Sequence, residues 1–155
     1  MVHLVYCDNA GPKGSRVLDG ILTGKKTMVV RGAAGRKIPH SRVFEGEELY
    51  FMEKGTASIT ARATVTCVEN HVKLTEEETD RVLSKNADKL GLTPKQLDRW
   101  HKKCLCLVSF EGVERISPPL DFEKQSNMDD WLILDRIEDV CKGTSKPYNY
   151  ENSKL

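Results

Sequence analysis

Hydrophobic and polar residues alternate most regularly over residues 57–68, which read ASITARATVTCV. Small apolar residues occupy every second position from Ile59 to Cys67, and threonines and one arginine lie between them. This period of two is typical of a strand with one buried face. Shorter apolar runs predict strands at 2–6, 26–32, 48–52 and 104–116, and a short strand or helix at 131–141.

Three segments carry helix signals. Ser15 and Gly24 flank an apolar pattern of helical spacing, which predicts a first helix with these residues as its N-cap and C′ residue. Thr75 and Glu78 form a capping box for a second helix, which Gly91 ends. A third helix, begun by a proline, follows three residues later.

The order of these elements predicts an α+β fold. Strands predominate, one helix separates the first two strands, and a helical pair precedes a late strand. The simplest architecture is a small, strongly curved sheet or barrel with helices packed against it. We expect one domain over residues 1–142, while residues 143–155 are polar and predict a disordered tail.

Composition adds a few limits to this picture. The 155 residues are 39% hydrophobic and 30% charged, and the formal net charge is only +1, so overall charge does not indicate a nucleic-acid partner. No window approaches the roughly 18 apolar residues that cross a bilayer, and no membrane partner is predicted. The segment MVHLVYCDNA lacks the basic and apolar regions of a secretory signal, which predicts a cytoplasmic protein.

The five cysteines are odd in number and scattered, which does not fit a disulfide framework. Cys104 and Cys106 are separated by one residue and follow His101, so a metal site stays open as an alternative. They also share one face of a strand-like run with Val108, where cysteine behaves as a small hydrophobic residue. We therefore predict buried thiols, with no metal and no cofactor.

A basic segment stands out between Asp19 and Glu45, which contains no acidic residue. Gly32 and Gly35 lie within it, and glycines allow a backbone to approach a ligand closely and expose consecutive N–H groups to an anion. Arginine side chains suit bidentate recognition of phosphate. The cationic residues of the segment are Lys25, Lys26, Arg31, Arg36, Lys37 and Arg42.

Part of this segment carries a family resemblance. Residues 24–31, GKKTMVVR, follow a helical segment and precede a strand and then the long alternating strand. They resemble the G-x-K-x-x-E-x-R signature of the ASCH domain family, with Gly24, Lys26 and Arg31 at matching positions. The resemblance covers residues 1–140 and implies a small PUA-like β-barrel with flanking helices, whose cleft beside the motif binds RNA or nucleotides.

Position 29 departs from the signature, because valine replaces the glutamate of the family. Valine has no group that activates water or attacks a carbonyl. A small family relative that deacylates a modified nucleoside also uses a glutamate from the helical insertion, where this chain has Leu90 with Asp88 nearby. We therefore do not expect an enzyme. The residues that remain as catalytic candidates are Lys26, His40 and Asp88.

The aromatic residues bear on binding because single-stranded bases are recognised by stacking. Trp100 shares a helical face with Leu97, which predicts a core position. Trp131 follows a loop, which predicts a position at the rim of a cleft. The adjacent Asp129 and Asp130 are placed to accept hydrogen bonds from a base edge or to pair with the basic segment.

The predicted function is binding of single-stranded RNA or a nucleotide. Lys26 and Arg31 would contact a phosphate or a base carbonyl, and the loop at 32–37 would add anion contacts. The predicted binding residues are Lys25, Lys26, Thr27, Arg31, Arg36, Lys37, Arg42, Asp130 and Trp131.

Two other classes of function stay open. One is a hydrolase, either a ribonuclease or an amidohydrolase on a modified nucleoside, that combines Lys26 with Asp88, His40 or an acid at 129–130. His40 qualifies because histidine titrates near neutrality, although a loop histidine is generally exposed. The other is a protein-interaction module whose basic segment is merely solvated.

Overall fold

In the computed structural model, which describes residues 1–126 and 129–153, six strands form one curled sheet. The α+β prediction is confirmed. The strands are β1 (Val2–Cys7), β2 (Met28–Ala33), β3 (Glu48–Glu53), β4 (Ser58–His71), β5 (Cys104–Asp121) and β6 (Trp131–Leu134). The helices are α1 (Val17–Leu22), α2 (Glu76–Lys85), α3 (Ala87–Leu90) and α4 (Pro94–Trp100), with 3₁₀ turns at Ile137–Val140 and Tyr150–Ser153.

The sheet is a half-barrel rather than a closed barrel. Its strand order is β2-β5-β4-β3-β1-β6, so β2 and β6 are its two edges. β1 and β3 run parallel, and the other neighbouring pairs are antiparallel. The curl brings the two edges near each other, since the side chain of Arg31 on β2 donates a hydrogen bond to the carbonyl of Tyr6 on β1. We call the gap between the edges the seam.

The concave side of the half-barrel holds the main hydrophobic core. Ala61 and Ala63 on β4 are small, and the larger rings of Phe51 and Phe110 pack in the same cluster, with their centroids 5.2 Å apart. This arrangement of small and large side chains suits the interior of a narrow curled sheet. Val29 belongs to this core and is 2% exposed.

Two further clusters cover the convex side. Met28 and Leu107 pack against Leu83 and Leu90, so the helical insertion covers the outer face of β2 and β5. On the other half of the sheet, strands β1, β3 and β6 pack against the 3₁₀ turn at Ile137–Val140. Both faces of most strands are therefore buried.

Three of the differences between the observed element boundaries and the sequence prediction have an identifiable physical cause. Arg16 rather than Ser15 caps α1, because the Asp19 carboxylate accepts the Arg16 amide at 3.0 Å. The helix predicted over 75–90 breaks at Asn86, whose side chain donates to the Val82 carbonyl.

The third difference is the length of β5, which was predicted to end at 116 and continues to Asp121. Pro118 and Pro119 lie where the register with β4 shifts, between Ile59 and Ala61 on the partner strand. A bulge tolerates proline because it leaves residues without ladder hydrogen bonds.

The C-terminal segment contacts β6 through two side chains. The amide of Ile133 donates to the hydroxyl of Tyr148 at 3.2 Å, and Asn152 donates to the Ile133 carbonyl at 3.3 Å. The boundary at residue 142 stays a prediction. Within the described ranges, no helix has the length and apolar character needed to cross a membrane.

Candidate functional site

A cavity of about 260 Å³ opens at the seam, and we call it the seam cleft. Its walls come from β2, the loop after β2, the β3–β4 turn, α4 and the start of β6, which are far apart in sequence. Its charged and aromatic lining residues are Arg31, Lys37, His40, Lys54, Arg99, Trp100, Asp129, Asp130 and Trp131.

Arg31 lies at the floor of the seam cleft. Its guanidinium carbon is 5.1 Å from the ring centroid of Trp100 and 5.6 Å from that of Trp131. Two of its nitrogens donate to the carbonyls of Val30 and Tyr6, each at 2.9 Å. Its Nε is buried and has no hydrogen-bond partner among the described residues. The guanidinium is therefore held close to two indoles, and three of its five N–H groups have no partner among the described residues.

Trp131 is held by a chain of buried polar groups. Its indole N–H donates to Nδ1 of His3 at 3.0 Å, and Nε2 of His3 lies 2.9 Å from a carboxylate oxygen of Glu47. Because Nδ1 accepts, the single proton of neutral His3 lies on Nε2 and is donated to Glu47. Burial lowers the pKa of His3, although the bond to Glu47 acts in the opposite direction. The rim position predicted for Trp131 is thus a buried wall position, 1% exposed.

Trp100 lines the seam cleft but also packs against the cluster of Met28 and Leu107, so the core position predicted for it is met only in part. It ends α4, a helix without fully buried residues, and Leu97 on the same helix is 42% exposed. The guanidinium of Arg99 also lies over the Trp100 ring, 4.6 Å from its centroid. The indole is therefore in contact range of two guanidinium groups.

Gly32 explains how α4 approaches the sheet so closely. A Cβ atom at this position would lie 2.9 Å from the carbonyl oxygen of Trp100 and 3.0 Å from the side chain of Leu105. The absence of a side chain at this position therefore lets β2 and the end of α4 lie close together. Gly35, by contrast, lines the cleft and faces open space.

Two carboxylates partly neutralise the cations of the seam cleft. Asp130 lies 2.8 Å from Lys54 and 2.7 Å from Arg99, and Asp129 lies 3.3 Å from Lys37. Burial alone would raise the pKa of Asp130, but the hydrogen bond and charge of Lys54 lower it below its ordinary value. Both groups therefore contribute negative charge. The cleft therefore has an excess of two positive charges, because two carboxylates are outnumbered by four cations, namely Arg31, Lys37, Lys54 and Arg99.

His40 lies in the wall of the seam cleft and is 4% exposed, unlike the exposed loop histidine that is usual. Its Nε2 lies 3.1 Å from the His71 carbonyl, and its Nδ1 lies 2.8 Å from the Ser41 hydroxyl. The carbonyl requires a donor, so Nε2 carries the proton and Nδ1 accepts from Ser41. Burial lowers the pKa of His40. Both ring nitrogens are engaged, so His40 supports the wall of the cleft as a neutral side chain.

Lys26 and Val29 lie behind the seam cleft. They share with Arg31 a small inner cavity of about 30 Å³. Lys26 is 6% exposed, and its ammonium group donates to the Leu90 carbonyl. Burial lowers the pKa of Lys26 to about 8, and the charge of Arg31 acts in the same direction. Val29 and Arg31 are two positions apart on β2, so their side chains lie on the same face of the strand.

The other predicted residues lie away from the cleft lining. Lys25 and Thr27 are exposed, and Lys25 lines a different groove beside α1. Arg36 is exposed on the loop after β2, and Arg42 donates two hydrogen bonds to the Asn152 carbonyl, at 2.9 and 3.1 Å. The catalytic candidate Asp88 is exposed on α3 and lines neither the cleft nor the inner cavity.

Four contributors to the site were missed. Lys54 lies in the turn between β3 and β4, Arg99 and Trp100 end α4, and His3 supports Trp131 from β1. The adjacent Arg99–Trp100 pair was a usable signal, because an arginine beside a tryptophan is typical of surfaces that bind bases. No local pattern marks Lys54 or His3.

Cys104 and Cys106 show the burial that was predicted for them, whereas Cys67 is exposed. Cys104 and Cys106 are 6% and 1% exposed, and burial raises the pKa of Cys106 to about 12. Cys104 lines the seam cleft. In the part of the chain that the structure describes, no three His, Cys, Asp or Glu side chains are grouped so that they could hold a metal ion.

No protein-family model matches this chain, and no curated protein sequence matches it. Three crystal structures are similar to it, namely ASCH from Zymomonas mobilis and two single-residue variants of that protein. The unsubstituted ASCH structure aligns with a TM-score of 0.55 and 14% sequence identity, over 77% of this chain and 73% of that chain. One variant aligns with the same TM-score over 75% of its length. This likeness confirms that the half-barrel has the fold of these ASCH structures.

Proposed function

We propose that this ASCH-fold protein binds single-stranded RNA or a nucleotide, with one base in the seam cleft. The observation that carries the proposal is the position of Arg31 between the indoles of Trp100 and Trp131 at the floor of a net positive cavity. Unpaired bases are recognised by stacking on aromatic rings and guanidinium planes and by hydrogen bonds to their edges. Arg31 lines the cleft and has N–H groups that its two carbonyl partners do not use, and these are the donors proposed for such an edge.

The size of the cavity favours a single base. About 260 Å³ lies just below the range of roughly 300–1,000 Å³ that holds drug-sized ligands. A duplex is too wide for a site of this volume, whereas a single unpaired base is small enough to enter it. Lys37, Lys54 and Arg99 at the cleft provide phosphate partners, and their contribution is expected to depend on salt. In this proposal Lys26 acts from behind, by adding positive charge near Arg31.

Intrinsic fluorescence tests this proposal directly. The chain has two tryptophans, and both line the seam cleft. Titration with a short single-stranded RNA or with a nucleotide at low salt is therefore expected to change the tryptophan emission. Affinity should fall steeply as salt is raised. No emission change and no binding at low salt would overturn the proposal.

A matched pair of variants separates the cleft from general surface charge. Arg99→Gln removes a guanidinium that pairs with Asp130 in the cleft, and Arg62→Gln removes one that pairs with Glu114 outside it. Arg99→Gln should weaken binding and reduce the salt dependence by about one phosphate contact. Arg62→Gln should leave both unchanged. Equal effects of the two variants would contradict a binding site at the seam cleft.

Incubation with candidate substrates distinguishes the proposed binding function from the two alternatives, a hydrolase and a protein-interaction module. We expect wild-type protein to leave labelled single-stranded RNA and acetylated cytidine intact, because the position of the family glutamate holds Val29. Turnover that Lys26→Ala abolishes would favour the hydrolase. Absence of any nucleic-acid affinity at low salt would favour a protein-interaction module.

A further inference from the structure

Another cavity, of about 590 Å³, lies beside the seam cleft, and we call it the side groove. Tyr6, Met52 and Phe122 provide its apolar surface. Lys54, Asp129 and Asp130 line both cavities, so these three residues form a ridge between them. The two cavities are thus adjacent parts of one surface.

Tyr6 connects the two cavities mechanically. Its carbonyl accepts the hydrogen bond from Arg31, and its amide donates to the Asp130 carbonyl at 3.0 Å. Because side chains alternate along a strand, the Tyr6 ring lies on the face opposite Val5, away from the main core. It packs edge-on against Phe122, with centroids 5.9 Å apart. An aromatic surface is therefore held at a fixed position relative to Arg31.

The charge on the ridge suits a phosphodiester. Lys54 and Arg99 both contact Asp130, and Lys37 contacts Asp129, so three cations against two carboxylates leave one positive charge. The Lys54 side chain is 44% exposed, so its ammonium group is open to a ligand. Lys124 adds a further cation in the side groove. A backbone phosphate that crosses the ridge carries one negative charge, which matches this excess.

We propose that the side groove binds the base next to the one in the seam cleft, so that the protein binds two consecutive nucleotides of a single strand. The connecting phosphate lies on the ridge at Lys54, and the second base stacks against Tyr6. This inference rests on the proposed function of the seam cleft. Stacking on an aromatic side chain is tolerant of base identity, so the second position is expected to show little sequence preference.

Two ligands and two variants test the inference. Tyr6→Leu removes the ring and keeps a smaller apolar side chain. Phe44→Leu is the matched control, since Phe44 is 59% exposed and lines neither cavity. Affinity for adenosine 5′-monophosphate and for the dinucleotide pApA is measured by tryptophan fluorescence. Wild type and Phe44→Leu should bind pApA about 5- to 20-fold more tightly than the mononucleotide, the lower part of the range for one stacked base.

Tyr6→Leu should lose this gain and keep the wild-type affinity for the mononucleotide. If wild type binds both ligands equally, or if Tyr6→Leu keeps the gain, the inference about the side groove is wrong and the proposed function stands. If neither ligand nor a longer single strand binds wild type, the proposed function itself is wrong. A Tyr6→Leu protein that loses mononucleotide binding as well would place the first base, not the second, against Tyr6 and overturn the assignment.

Discussion

The indole of Trp131 donates a 3.0 Å hydrogen bond to the imidazole of His3, and both side chains are almost completely buried. His3 is in turn hydrogen-bonded to Glu47, so the position of this wall of the seam cleft depends on a carboxylate on the far side of the imidazole. Protonation of His3 would convert Nδ1 from an acceptor into a donor. It would then face the indole N–H, another donor.

We expect acid to destabilise the protein through His3. Burial lowers the pKa of His3 from its ordinary 6.5 in the folded protein. The unfolded chain therefore takes up a proton more readily, and stability is complete above pH 6.5 and is lost as the pH falls below it. His40 acts in the same direction. The pKa of Glu47 is also lowered, by its hydrogen bonds from His3 and Phe44 against the effect of burial, so a further loss follows below pH 4.5.

Denaturant unfolding at pH 7.5, 6.0 and 5.0 measures this dependence. His3→Gln keeps a donor and an acceptor but does not titrate, so it should lose less stability over this range than wild type, whatever its absolute stability. Equal pH slopes for the two proteins would show that His3 does not titrate differently in the folded state.

Lys26 is expected to control how the stability of the fold depends on pH in the alkaline range. Its pKa is about 8 in the folded protein against 10.5 ordinarily, so the unfolded chain holds more protons between these values and stability rises with pH there. The raised pKa values of Cys7 and Cys106, each about 12, act in the other direction. Both cysteines are still present in Lys26→Met, so the comparison with this variant cancels them.

The measurement is the free energy of unfolding at pH 7.5 and 9.5. The difference between wild type and Lys26→Met should change by about 2 kcal/mol in favour of wild type over this interval. A constant difference would mean that Lys26 keeps its ordinary pKa in the folded protein.

Val29→Glu should weaken ligand binding at low salt. The side chain lies in the inner cavity with Lys26 and Arg31, and a carboxylate there reduces the positive charge below the seam cleft. The expected loss of affinity is roughly 3- to 10-fold, as for unit charges several ångströms apart near a protein surface. Val29→Gln is the matched control, because it has the same shape without the charge. If the two variants bind equally at low salt, charge at position 29 does not govern affinity.

Gly32→Ala should disturb the seam cleft, and Gly35→Ala should not. The new methyl group at Gly32 would lie 2.9 Å from the Trp100 carbonyl, whereas the one at Gly35 meets no atom within 4 Å. Overpacking of this kind typically costs about 1–3 kcal/mol. We expect lower stability and a shifted tryptophan emission for the first variant only. Identical thermal unfolding and emission in both variants would show that α4 moves freely away from β2.

The parts of the fold that the sequence predicts are those set by local pattern. The alternation from Ile59 to Val65 and the capping box of Thr75 and Glu78 appear in the structure as β4 and the start of α2. Cys67, predicted to face inward, is exposed, because the register with β5 shifts between Val65 and Cys67. The candidate site is different in kind. His3 and Trp131 are 128 positions apart, and nothing near either residue in the sequence records that the curled sheet brings them together.

The misassigned residues show why. Trp100 and Leu97 have the spacing of a buried helical face, but α4 is a short helix at an open seam, so one side chain lines a cavity and the other is largely exposed. Arg42 has the charge of a phosphate ligand, but the C-terminal segment supplies a carbonyl that engages it. In both cases the deciding contact comes from an element that is distant in the chain.

The open seam has a consequence for hydrogen exchange. The amides nearest the gap belong to strands that lack a neighbour on one side, and the bond from Arg31 to the Tyr6 carbonyl links β2 to β1, the strand next to the opposite edge. Local opening is therefore expected to start there, well below the free energy of global unfolding. A ligand in the seam cleft would contact both edges at once. Its signature would be slower deuterium uptake at two stretches of chain about a hundred residues apart, around 29–33 and 130–133, with the remainder of the sheet unchanged.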